Sequence, residues 1–407
     1  MDAFVSAHMS TSLLADPIEA RAIERDVTPA RTSLWPSLLL AFAATSITIG
    51  IIWDISWHLA IGRDTFWTPA HMAIYLGGAM SGCVGGWLAF KGTFLAGPEE
   101  RAAMVNILGA RAPLGAFVAI WGAVAMIVSA PFDNWWHNAY GLDVKILSPP
   151  HTVLGLGMFG ISLGALLLVL SHQNRVSNDA GSGIFIYVGG IFLALGSVFV
   201  TETAVANLQH AAPFYMVAAA TYIFRLVSLG RAGRAPFTAT KVALVYMGVT
   251  CFMVWVLPLF PAQPKLAPIY HPITHMVPPF FPLLLVFPAL AIDLILRKWG
   301  NAEGVARHLG VPLLLGAAFL AVFMPIQWYF SAFILSPGAD NWFFAGSRWW
   351  GYETRISPWS TRFWFSDEIP SLRFPLSVLS VLVAWLIAAF SGWIGLLWGN
   401  WMRKVCR

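Results

Sequence analysis

Charge is what this sequence has least of. Only 11% of its 407 residues are Asp, Glu, Lys or Arg, while 58% are hydrophobic. A soluble domain of this size cannot be so apolar, because too little polar surface would remain to cover it. The net charge of +5 does not point to nucleic acid, since the Lys and Arg are scattered among short connections instead of gathered in a patch. Cysteine is nearly absent. Cys83 and Cys251 sit in apolar stretches and Cys406 at the tail, with no spacing of a disulfide framework or a CxxC site, so they read as small buried side chains. No haem, flavin or iron–sulfur motif is present, so redox chemistry would draw electrons from an external donor. Residues 1–32 are polar and mixed in charge, with no signal-peptide core directly after them, and read as a cytoplasmic tail.

Aromatic residues are plentiful, with 20 Trp and 29 Phe, as in the belts that membrane proteins place at lipid–water interfaces. Ten apolar stretches lie near 34–58, 69–90, 112–134, 149–171, 183–208, 212–229, 238–258, 272–297, 308–334 and 373–402. Each approaches the roughly 20 residues that a bilayer requires. The expected fold is an all-α polytopic membrane protein of about ten transmembrane helices. Along the chain this gives a tail (1–32), four helices (33–171), further helices (172–334), a long Trp-rich loop (335–372) and a last helix with a basic end (373–407). Lys and Arg concentrate in the tail, in alternate connections (Arg101, Arg175, Arg231, Arg297) and after Trp401; the intervening short connections hold only Arg63, Lys145 and Lys265. Both termini are therefore expected in the cytoplasm, with the chain in the inner (cytoplasmic) membrane.

Two strings stand out against this apolar background. Asp54-x2-Trp57-His58-x3-Gly62-x-Asp64 leads to Pro69-x-His71, and Asp133-x2-Trp136-His137-x3-Gly141-x-Asp143 leads to Pro149-Pro150-His151. Asp and His four apart share a helix face. Gly four residues past each His suits a left-handed helix end. Thr68-Pro69 and Ser148-Pro149 read as a hydroxyl N-cap followed by proline in the first turn. Each string is thus a helix end, a tight connection and a helix start, and it presents one carboxylate and two imidazoles. The two are in the same phase, which predicts a parallel hairpin repeat with both sets near the outer, periplasmic face. Asp54, His58 and His71 form one candidate metal set, and Asp133, His137 and His151 the other; they can make two mononuclear sites or one dinuclear site. Two imidazoles and a carboxylate suit iron, copper or zinc, and ligand type alone does not choose among them. Solvated polar residues at a membrane edge are the competing reading. Asp64 and Asp143 read either as supports holding a ligand imidazole from behind or as turn-forming residues.

The spacing of Asp54, His58 and His71 resembles one metal site of the C subunit of the copper-dependent membrane monooxygenases, the family of particulate methane and ammonia monooxygenases. The spacing of His137 and His151 is similar to the neighbouring site, whose first ligand in the family is Asn, where this chain has Asp133 with Asn134 beside it. The resemblance covers roughly 34–171. It implies a copper-binding, oxygen-activating membrane subunit. The family complex includes a cupredoxin subunit, and no cupredoxin-like segment is present here.

Further candidates lie outside the two strings. His210, eight residues after Glu202, resembles a degenerate third string. His271 and His275 are four apart, and Pro272 suggests a helix start there. Each has a metal, packing or proton-relay reading. The loop 335–372, with Trp342 and Arg348-Trp349-Trp350, reads as a lid over an apolar pocket or as an interfacial anchor. Trp57, Trp67, Trp135 and Trp136 would give the candidate sites a dry surround. The function expected is hydroxylation of a small apolar or weakly polar substrate by O2 at copper, by an enzyme or one subunit of it. It would work in membrane lipid with an external electron donor and with other subunits or further copies of itself. The alternative is a non-enzymatic copper or zinc binding, transfer or assembly protein, although methionine is sparse near the strings. A proton-coupled transporter is a third class, disfavoured by the parallel phase of the strings.

Overall fold

In lipid a backbone must satisfy its own N–H and C=O groups, so apolar stretches of bilayer length fold as helices. The computed structural model describes residues 33–141, 148–176, 181–267, 269–301, 304–346, 351–352 and 376–407. Leu34–Arg407 form one compact unit. The expected tail, Asp143, most of the loop beyond residue 346, and the side chains of His137 and Glu202 lie outside the described residues.

Ten apolar helices follow in order among the described residues. They are α1 (Trp35–Ala60), α2 (Pro69–Leu95), α3 (Leu114–Tyr140), α4 (Pro149–Arg175), α5 (Ser182–Val198), α6 (Ala212–Ala232), α7 (Thr238–Leu259), α8 (Val286–Trp299), α9 (His308–Ile334) and α10 (Val378–Met402). All except α5 and α8, with 17 and 14 residues, are long and apolar enough to cross a membrane. Large side chains such as Trp121, Ile127, Leu379, Leu386 and Phe390 point outward with more than half their surface uncovered, a solvent-hostile exterior that a bilayer accommodates. The chain is an all-α polytopic membrane protein. A small β-ribbon is added in the α2–α3 connection, where Val105–Ile107 pairs with Ala110–Ala112.

Two expected spans come out shorter, each for a local reason. The stretch 183–208 is helical only to Val198. There Ser197, Thr201 and Thr203 turn their hydroxyls onto the carbonyls of Leu193, Val198 and Val200, competing with the helical ladder. The stretch 272–297 becomes helical only at Val286. Pro278, Pro279 and Pro282 remove N–H donors and fix φ, and Pro272 opens no helix. Instead the Ala262 N–H donates to Thr274 O (2.9 Å) and the Met276 N–H to Phe260 O (3.0 Å). Irregular backbone is tolerated inside a membrane protein where protein groups satisfy it. The Leu283 N–H donates to the Tyr246 hydroxyl and the Leu284 N–H to Gln327 Oε1, both at 3.1 Å, and Gln327 Nε2 donates on to Gln209 Oε1 at 2.8 Å. On α8, Asp293 accepts the Thr240 N–H at 2.8 Å and the Ala239 N–H at 3.2 Å. A carboxylate lent by one helix thus caps the positive end of α7.

The first four helices make two hairpins, α1–α2 and α3–α4, with α2 packed on α3. Each hairpin crosses at a glycine. A Cβ on Gly77 would stand 2.5 Å from Ala43 O, and one on Gly157 would stand 2.7 Å from Gly122 O. Small residues at these points let the backbones approach. Ile47, Ile74, Met126 and Ile161, one from each helix, close a buried cluster between the hairpins. Gly157→Val is therefore expected to destabilise the fold by about 1–3 kcal/mol through overpacking. It should lower the thermal midpoint in detergent, whereas Gly86→Ala, whose added carbon meets nothing within 4 Å, should not.

Candidate metal centre

The last turn of α1 ends in a tight reversal. Gly62 has φ +81°, and the Ile61 and Gly62 N–H groups both close on Trp57 O, at 2.7 and 3.1 Å. Gly141, after α3, repeats the left-handed conformation at φ +90°, as the spacing predicts. The helix starts differ from each other. Thr68 does not cap α2 with its hydroxyl; Oγ1 accepts the Thr65 N–H at 2.8 Å and ties the connection instead. Ser148 does cap, accepting the His151 N–H at 3.3 Å.

This reversal brings four side chains together. His71 Nε2 lies 3.0 Å from Asp54 Oδ1 and 3.4 Å from Asp64 Oδ2. His58 Nε2 lies 3.8 Å from Asp54 Oδ2 and 3.7 Å from Asp64 Oδ2. Donor atoms around a metal with bonds of about 2.0–2.2 Å stand roughly 3–4 Å apart. Among the described residues, Asp54, Asp64 and His71 are the one group of three whose ligand atoms all fall within 4.8 Å of one another. Asp64, which the sequence offers as a support behind the ligands or as a turn residue, places its carboxylate among the candidate ligand atoms.

The hydrogen bonding of His71 sharpens this arrangement. Its Nδ1 is 2.9 Å from Thr65 O. A carbonyl can only accept, so Nδ1 carries the proton, and the neutral ring turns the Nε2 lone pair towards two carboxylates. That arrangement is repulsive unless a cation lies between them, either a proton on Nε2 or a metal ion. Asp54 Oδ1 is shielded from solvent and stands 3.0 Å from Nε2, so a proton on Nε2 would join the two as an ion pair, and a metal ion between them would join them as ligands. The Thr65 carbonyl would then play the orienting part that ligand histidines ordinarily require.

In the second hairpin, His151 Nε2 faces Asp133 Oδ1 at 3.5 Å. The structure brings these two together; the rest of that set, the His137 side chain and Asp143, lies outside the described residues. Tyr75, one turn after His71, stands where the fields of Asp54, Asp64 and Asp133 all reach it. The surround is less dry than the tryptophans suggest. The side chains of Asp54 and His71 are 15% and 19% exposed, but that of His58 is 49% exposed, and Trp67 and Trp135 point outward. Trp57 is engaged locally, donating Nε1–H to Arg63 O at 2.9 Å.

The remaining candidates do not join the cluster. His210 is buried and stacked on Trp328, with ring centroids 3.7 Å apart, and its Nε2 meets Trp328 O at 3.1 Å. His271 and His275 lie on extended chain and not on the expected helix, and His275 Nδ1 meets Thr274 Oγ1 at 2.8 Å. Glu202 falls in the short turn Thr201–Thr203. From the long loop, Trp342 stacks on Trp255. The Tyr352 N–H donates to Leu59 O at 3.2 Å, and the Tyr352 phenol occupies the space beside Gly62 where a Cβ would point. Part of the loop thus rests on the end of α1. No protein-family model, curated protein or solved structure matches the chain, so the site's own chemistry carries the functional reading. If Asp64 is a direct ligand, Asp64→Asn is expected to reduce bound metal as severely as Asp54→Asn. A role behind the ligand would cost only about 10–100-fold in affinity. Titration of both variants with metal buffers separates the two.

Proposed function

We propose that this chain is a metal-dependent membrane oxidoreductase, or one subunit of it, which hydroxylates a small apolar or weakly polar substrate with O2 at copper. The observation that carries the metal reading is the convergence of Asp54, Asp64 and His71, whose ligand atoms all lie within 4.8 Å of one another, with His71 anchored through Nδ1. The copper and O2 reading rests on the ligand spacing that resembles the membrane monooxygenases. Two carboxylates and two imidazoles would hold the ion, and copper when bound would supply the O2 chemistry. Asp64 makes the donor set richer in oxygen than that spacing implies, which keeps iron and zinc as alternatives. Asp133 and His151 would contribute to the second set.

The parallel-repeat reading is supported by more than the strings. Ala43 and Gly122 are 79 residues apart, as are Asp54 and Asp133, and the glycines that cross them, Gly77 and Gly157, are 80 apart, as are His71 and His151. The orientation reading is supported at the other end of the bundle. There Asn174 donates to Met402 O and Val405 O, and Arg231 and Arg234 bind Asn400 and Asn174. The basic residues gather away from the carboxylate cluster. A fluorescent protein fused after Arg407 is expected to fluoresce, and alkaline phosphatase at the same point to stay inactive; the reverse pattern rejects cytoplasmic termini.

A second reading, metal storage or transfer, is favoured by the half-exposed His58, which gives the cluster an open side. Metal analysis of the purified protein, with His58→Ala and His137→Ala, tests the shared premise: both changes should lower bound metal. O2 consumption with small hydrocarbons and ammonia then separates the readings. Retained metal without O2-dependent turnover on any of them favours transfer; unchanged metal in both variants rejects the metal site.

A further inference from the structure

A cavity of about 80 Å³ lies on the face of α1 turned away from the carboxylate cluster. Helix α1 presents Ile52, Ser56 and Leu59 to it; α5, α6, α7 and the extended chain Val277–Leu283 complete the wall. Its size is about half the roughly 150 Å³ that accommodates benzene in an engineered protein cavity, leaving room for about three or four heavy atoms.

The polar groups on the wall are biased in one direction. Ser56 donates its hydroxyl proton to Val277 O, Ser197 to Leu193 O, Thr201 to Val198 O and Thr250 to Tyr246 O. All four aliphatic hydroxyls therefore have their donors committed to main-chain carbonyls and only lone pairs to offer. The two phenols on the wall, Tyr222 and Tyr246, both interact with Ser197, which leaves Ser56, Thr201 and Thr250 as the hydroxyl acceptors for a ligand. Three of the seven residues in Val277–Leu283 are proline and carry no N–H. The remaining wall is apolar, with Ile52, Ile55, Leu59, Val198 and Phe280.

We infer that this cavity binds a small neutral molecule with one O–H donor on a compact apolar body, in the size range of a three-carbon alcohol. The donor would be accepted by the hydroxyl oxygens, while the carbon atoms pack on the aliphatic wall. The inference does not depend on the metal reading, because Asp54 and His58 occupy the other side of α1 and are separated from the cavity by the helix itself.

Saturation-transfer NMR on the full chain in nanodiscs tests this with 2-propanol and acetone, which have equal numbers of heavy atoms but differ in the donor. Saturable transfer is expected to 2-propanol and not to acetone. Thr250→Val, which keeps the volume and removes an acceptor, should weaken 2-propanol about 2- to 10-fold, the range of one hydrogen bond. Ala194→Leu, which fills the cavity, should abolish it, with circular dichroism verifying that both variants fold and bound metal unchanged. The inference is overturned by equal transfer to acetone, by no saturable transfer to 2-propanol, or by folded variants that bind as the parent does.

Discussion

The meeting of Asp54 and His71 depends on where two helices stop and start. A carboxylate near the end of α1 can face an imidazole at the third position of α2 only if the chain reverses within eight residues, Ile61–Thr68. The left-handed Gly62, the Thr68 hydroxyl on Thr65 and the Thr65 carbonyl on His71 Nδ1 together fix that reversal. Beneath it, the close crossing at Gly77 sets the distance between the helix axes. The cluster is thus held by helix ends and one connection, a rigid way to converge four ionisable groups at the edge of an apolar bundle. Groups of that kind are costly near a membrane core and tend to be retained for function.

Much of this was legible in the chain. Apolar length matched to the bilayer placed α1, α2, α4, α7 and α9 within a few residues of where they lie, because lipid leaves the backbone no alternative. The glycine ends were legible because positive φ favours one residue type. What escaped was decided by side chains acting on backbone at a distance. Hydroxyl competition stops α5 at Val198, and the prolines between Pro278 and Pro282 leave extended a stretch whose composition reads as a span. The Gln209–Gln327 pair that stabilises that stretch is 118 residues apart in sequence and leaves no local pattern. Asp64 read only as a support or a turn residue for a similar reason. It sits in an aperiodic connection, where spacing says nothing about direction, and it becomes a member of the cluster only once Gly62 has turned the chain.

The interior treats its polar groups in two ways. Some are absorbed locally: Asp293 caps the start of α7, and Arg225 lies by the rings of Phe159 and Phe192 while donating to Thr221 O. The Asp54 cluster and the hydroxyl-lined cavity differ in that each gathers several acceptors in one place. They occupy opposite faces of α1, which makes this helix a partition between a charged chamber and a neutral one.

That partition has its far end pinned. Gly351 and Tyr352 lie across the last turn of α1, with a main-chain hydrogen bond to Leu59 and the phenol seated at Gly62, while the Lys265 N–H bonds to Ile61 O from the other side. The carbonyls that a helix end ordinarily leaves to water are here taken up by two remote segments of chain. The end of α1 is therefore a keystone: two remote segments of chain are hydrogen-bonded to the turn just past His58, one of the four residues of the cluster.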